Sequence, residues 1–150
     1  MAWFADLSHC DYFGEEYSSS LRAVGWLEQG RPFAQGKVDP EIYRRLVELF
    51  KEPWEPTLAM GFHRCDLCLY QGETGASNLL VPADEIVYFC PELVVHYMNA
   101  HGYQPPDDFC RSVLSCPAMK TMPYFKALLK RGVKPLIQHS RVLRSVATAS

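Results

Sequence analysis

The sequence predicts an α+β fold, a small antiparallel sheet with several helices, and three observations carry that expectation. Asn78–Val81 and Glu85–Phe89 are short runs of β-favouring residues on either side of Pro82-Ala83-Asp84, the pattern of an antiparallel hairpin. Apolar residues at helical spacing follow prolines at four places, and proline is favoured in the first helical turn. A Cys-x2-Cys pair precedes the hairpin and a His-x4-His pair follows it.

Taken in order, 3–36 interleaves aromatic residues with Gly, Ser and Pro, and only Leu21–Leu27 has a strand pattern. Asp39-Pro40-Glu41 supplies an N-cap, a proline at N1 and an acidic first turn, and Ile42, Leu46, Leu49 and Phe50 follow at helical spacing, predicting a helix from Pro40 to about Lys51. Pro53 and Pro56 prevent its continuation. After the hairpin, Pro91-Glu92 opens a helix that carries Leu93, Val94, His96 and Met98, with Gly102 placed to end it. Two more helices are expected, from Pro106 to about Ser115 and from Met122 to about Lys130, the second closing at Gly132. The expected organisation is a single domain over 1–132 and a basic, flexible tail over 133–150.

The chain has 150 residues, 48% hydrophobic and 21% charged, enough for one core and ordinary for a globular protein. A formal net charge of −2 provides no overall positive field, so nucleic acid is a disfavoured partner. The segment from Met1 to Asp6 lacks the basic and apolar regions of a secretory signal, and the longest apolar run near Ile86–Phe89 is far short of a membrane span. The expectation is a cytoplasmic protein without membrane contact, whose six cysteines are thiols or metal ligands in a reducing compartment.

The chemistry lies in His63-Arg64-Cys65-Asp66-Leu67-Cys68 and His96-Tyr97-Met98-Asn99-Ala100-His101. Two thiolates from a tight turn and two imidazoles make a Cys2His2 set suited to one tetrahedral Zn2+. The predicted metal ligands are therefore Cys65, Cys68, His96 and His101, in a subdomain ordered zinc knuckle, hairpin, helix. Five residues at about 100° each set His96 and His101 well apart on an ideal helix, so a tightened or broken last turn is expected. His63 and Cys90 are the alternative donors. Four protein ligands leave no position for water or substrate, the mark of a structural ion. A catalytic ion would need three ligands and a nearby base, and Glu92 and Asp66 are the candidates. Their simpler roles are a carboxylate at a helix N-terminus and a turn former.

Cys110 and Cys116 do not form a Cys-x-x-Cys redox pair. His9-Cys10-Asp11 brings three catalytic residue types side by side, yet adjacent side chains rarely face one another. Most of the aromatic residues are expected as core and cover over the zinc subdomain.

Met1-Ala-Trp-Phe-Ala-Asp-Leu-Ser, Val24-Gly-Trp-Leu, Gly61-Phe-His-Arg-Cys-Asp-Leu-Cys, His96-Tyr-Met-Asn-Ala-His-Gly-Tyr-Gln-Pro-Pro and Ser115-Cys-Pro together resemble a family of small uncharacterised bacterial proteins. The resemblance runs from Met1 to about Leu129, and the tail from Val133 departs from it. It implies no activity, because that family is one of unknown function. The expected function is a binding or adaptor protein, stapled by zinc, that presents a surface to a protein partner. The alternatives are a small enzyme of specialised metabolism or hydrolysis with a pocket near Cys10, and a DNA-binding regulator using the basic run from Lys126 to Arg144.

Overall fold

The structure is a computed structural model that describes residues 3–10, 20–55, 63–68 and 72–131. The elements in chain order are β1 (Leu21–Ala23), α1 (Pro40–Leu49), β2 (His63–Arg64), β3 (Thr74–Gly75), β4 (Asn78–Pro82), β5 (Val87–Pro91), α2 (Leu93–His101), α3 (Asp107–Ser115) and α4 (Met122–Leu129). The fold is α+β.

Local sequence chemistry accounts for most of these boundaries. Asp39 Oδ1 accepts the Glu41 N–H at 2.9 Å and Pro40 supplies the first turn of α1, so two of the features that start a helix coincide. The helix buries Ile42, Leu46 and Leu49 and packs that stripe against α3 and α2. The predicted hairpin is β4–β5, antiparallel in the register Leu79↔Cys90 and Leu80↔Phe89. Its second strand begins at Val87, because Ala83 N–H closes on Ile86 O at 2.9 Å and absorbs Glu85 into the turn. Pro82 has no N–H to offer, and it sits in β4, at the edge of the sheet order β1-β5-β4.

β1 is the element that sequence placed without a partner. It pairs parallel to β5, Leu21↔Val87 and Ala23↔Phe89, so the three-stranded sheet is mixed. The strand is shorter than Leu21–Leu27, because Gly25 turns the chain at φ 79. The pattern continues to Leu27 for another reason: Val24, Trp26 and Leu27 are buried in the core.

Every residue of β4 and β5 is buried, as in a sheet covered on both faces. The two-residue period of β5 decides which cover each side chain meets. Tyr88 meets Phe109 of α3 edge-on at 5.5 Å, while Phe89 stacks on Trp26 at 5.2 Å. Trp26 also donates its indole N–H to the Phe89 carbonyl at 3.0 Å, and Tyr124 of α4 donates its hydroxyl to Leu80 O at 2.6 Å. Trp54, Tyr97, Tyr103, Tyr124, Phe89 and Phe109 are all less than 2% exposed or close to it, and full burial of such a side chain stabilises by roughly 1.5–3 kcal/mol. Of the aromatic residues expected as core and cover, Trp26, Trp54 and Tyr103 are buried and Phe4 and Phe33 pack partly buried against the core; Tyr12, Phe13, Tyr17, Gly132 and the tail lie outside the described residues.

Candidate metal centre

A second, two-stranded ladder positions the thiols. β2 and β3 pair antiparallel, His63↔Gly75 and Arg64↔Thr74, and Cys65 N–H extends the ladder to Glu73 O at 2.8 Å. Cys65 thus leaves the ladder with its backbone fixed. Gly72 lies so close that an added Cβ would fall 2.1 Å from the Cys65 carbonyl oxygen, which explains a glycine there. The turn is tied from outside by Asp66 Oδ1, which accepts the Gln29 N–H at 3.1 Å.

The imidazoles come from the end of α2. Gly102 adopts φ 66 and its N–H reaches Tyr97 O, five residues back, and Tyr103 N–H reaches the same oxygen at 3.1 Å. Of the two expected departures, a tightened or a broken last turn, the structure has the second: the turn opens out and ends at Gly102. An i→i−5 closure spreads five residues over about one revolution, so His96 and His101 return to one side with ring centres 5.0 Å apart. The buried Tyr103 then anchors the cap by donating its hydroxyl to Asp6 Oδ2 at 2.7 Å.

Cys65, Cys68, His96 and His101 are thereby brought together, with one donor atom from each within 4.8 Å of all the others. Cys65 Sγ is 3.4 Å from His101 Nε2, and Cys68 Sγ is 3.3 Å from His96 Nε2 and 3.5 Å from His101 Nε2. A tetrahedral ion with metal–sulfur bonds of about 2.3 Å and metal–nitrogen bonds of about 2.0 Å holds its sulfur and nitrogen donors roughly 3.5 Å apart. The observed spacings match that edge length. Burial pushes the Cys65 thiol up in pKa, while the N–H groups of Leu67 and Cys68 bond its sulfur and favour the thiolate. The donor chemistry and spacing fit a soft-to-borderline cation in a closed, four-ligand site.

The other candidates lie elsewhere. His63 packs edge-on to Trp26 at 5.6 Å, and burial lowers its pKa. Cys90 is fully buried in β5, where burial drives its thiol strongly upward. Glu92 makes no capping bond; its side chain lies over β3, where a Cβ on Gly75 would fall 2.9 Å from its Oε1. His9 is exposed and meets Arg22 at 3.1 Å, whereas Cys10 is fully buried, so the neighbours point apart as strand alternation requires. Asp11 is outside the described residues. Burial raises Cys110 to about 11 and Cys116 to about 12, values that leave both as thiols at neutral pH. The sequence reading missed the β2–β3 ladder and the part of Glu73 in it. Gly72, close after the knuckle, was the available signal.

The family model described as Domain of unknown function (DUF7919) matches residues 2–114, and the chain belongs to that family. Neither a curated protein nor a solved structure matches it.

Proposed function

We propose that this family member binds one zinc ion through Cys65, Cys68, His96 and His101, and that the ion is a structural staple in a protein that works by presenting a binding surface to another protein. The observation that carries the reading is the set of sulfur–nitrogen distances of 3.3–3.5 Å, which corresponds to a tetrahedron filled by the chain's own side chains. Such a site has no place for a substrate or an activated water. What it does instead is join parts of the chain far apart in sequence: the β2–β3 ladder through two thiolates, and the end of α2 through two imidazoles.

The burial of Cys10 and the outward turn of His9 favour the binding role over an enzyme built on that pair. No helix of the described residues is long and apolar enough to cross a membrane. A reducing cytoplasm suits the reading, since it keeps thiolates available for the ion. Metal analysis together with a zinc-edge absorption spectrum tests it. Protein purified without chelator should carry about one zinc per chain, with two sulfur and two nitrogen neighbours at the lengths expected of such a site. Three or four sulfur neighbours, or an oxygen in the shell, would overturn the closed Cys2His2 assignment.

A further inference from the structure

Asp6 belongs to no helix or strand, yet each of its carboxylate oxygens holds a different part of the protein. Oδ1 accepts the Gly25 N–H at 3.0 Å and Oδ2 accepts the Tyr103 hydroxyl at 2.7 Å. Gly25 lies against the body of α2: at φ 79 its backbone comes so near that an added Cβ would fall 2.7 Å from Val94 Cγ2. Tyr103 stands two residues after His101, where its N–H and that of Gly102 close the end of α2 on Tyr97 O. One carboxylate therefore joins the flank of α2 to its C-terminal cap. The backbone of the cap is also held from 34–36, by Gly36 N–H to Gly102 O at 3.0 Å and Gln104 N–H to Ala34 O at 2.9 Å. Those bonds fix the path of the chain and leave the tyrosine hydroxyl to Asp6. Tyr103 is 0% exposed, so without Asp6 a buried donor loses its partner, and the cap must shift to satisfy it.

The turn that presents Asp6 is strained. Ser8 N–H closes on Ala5 O at 3.1 Å and Leu7 takes φ 66, a left-handed conformation that is unfavourable for a residue with a side chain. Leu7 is 43% exposed, so burial of its own side chain does little to offset that strain. Its N–H bonds Ala23 O at 2.8 Å, which ties the turn to β1 and leaves the carboxylate directed at Gly25 and Tyr103.

We infer that Asp6 is a positioning residue of the metal centre, acting on His101 through Tyr103 and the Gly102 cap. This role rests on the zinc reading above and extends the centre to the N-terminal segment. With the hydroxyl held, the opened last turn of α2 is set before the ion arrives, and His101 already faces both thiols. With the hydroxyl released, only a fraction of the molecules keeps that geometry, and the apparent affinity for the ion falls by that fraction.

The experiment uses the full chain and zinc alone, comparing the natural protein with Asp6→Ala, Tyr103→Phe and the two combined. Asp39→Ala serves as the control, because it removes the side-chain bond to the Glu41 N–H at the start of α1 and lowers stability away from the centre. Zinc affinity is read by competition with a chromogenic chelator, and the His101 ring by long-range proton–nitrogen spectra of the zinc-loaded protein. Asp6→Ala and Tyr103→Phe should each weaken binding about 10-fold, the scale of one charge-assisted hydrogen bond, and each should move the His101 signals. The combined variant should bind about as weakly as either alone, because both substitutions remove the same bond. Asp39→Ala should melt lower with its zinc affinity unchanged. Tyr103→Phe keeps the ring and its packing, so it reads the same bond if Asp6→Ala does not fold. If zinc binds the natural protein but either folded single variant keeps its affinity, if the two losses add, or if Asp39→Ala weakens binding equally, the role of Asp6 is overturned and the zinc reading stands. If the natural protein binds no zinc, the zinc reading itself is overturned and the role of Asp6 with it.

Discussion

Replacing His101 with alanine probes the centre at an imidazole that faces both thiols. Its Nε2 stands 3.4 Å from Cys65 Sγ and 3.5 Å from Cys68 Sγ, and its ring centre is 5.0 Å from that of His96. Structural zinc contributes on the order of 10–16 kcal/mol in small folded peptides, so an even share among four donors makes each worth roughly 3 kcal/mol. That is a large part of a domain stability of about 5–15 kcal/mol. Helix propensity opposes the loss by only a few tenths of a kcal/mol, because alanine is the better helix former. His101 is half-buried, so lost packing adds little. At about 2–4 °C per kcal/mol for a chain of this size, the melting temperature should fall by roughly 6–12 °C. Calorimetry or circular dichroism in one equivalent of zinc reads the shift directly. A variant melting within about 2 °C of the natural protein would refute the reasoning, since a shift that small corresponds to 1 kcal/mol or less.

Gly102→Ala should cost about 1–2 kcal/mol, the penalty of a side chain in the left-handed region. The backbone is the whole cause here, since an added Cβ meets nothing within 4 Å; an unchanged melting temperature would contradict the role of the cap. Gly72→Ala should act mainly on the metal, because its Cβ would strike the Cys65 carbonyl and displace the knuckle; weaker zinc binding in a chelator competition checks it. Cys10→Ala should retain about one zinc per chain while losing about 1 kcal/mol from the small buried cavity, and metal loss would place Cys10 in the centre. Glu55→Gln tests burial of a carboxylate whose Oε1 accepts the Asn78 N–H at 2.6 Å. Burial above all, offset in part by that bond and reinforced by Glu92, raises the Glu55 pKa from its usual 4.5. The folded state therefore holds the proton more tightly, and Glu55's favourable contribution is present at low pH and lost as pH rises through the raised value. Glutamine keeps an acceptor for Asn78 without the charge, so the variant's stability relative to the natural protein should rise between about pH 4 and pH 7. A flat difference would contradict the assignment.

How far the sequence led depended on how local the deciding interaction was. α1 was legible because Asp39, Pro40 and the Ile42–Leu46–Leu49 stripe all act within one helix, and the β4–β5 hairpin because its turn lies between its strands. Cys65, Cys68, His96 and His101 stood out because their donor types and spacing carry meaning without a fold. β1 could not be paired from sequence, since its partner β5 lies more than sixty residues away and nothing local marks a parallel neighbour. The two-residue strands β2 and β3 are too short for a periodic pattern, so the ladder that holds Cys65, and with it Glu73, stayed hidden. The end of α2 was legible only as a tightened or a broken turn, without a choice between them. The His-x4-His spacing demanded a departure from 3.6 residues per turn, but only the bond from Gly102 to Tyr97 shows that the turn opens.

The most direct test of the account removes the ion from the natural protein with a high-affinity chelator and follows the far-ultraviolet circular dichroism and the thermal transition, with zinc added back afterwards. A structural ion predicts loss of the cooperative transition, or a fall of more than about 10 °C, and recovery with one equivalent of zinc. A spectrum and a melting transition unchanged by complete removal of the metal would contradict it.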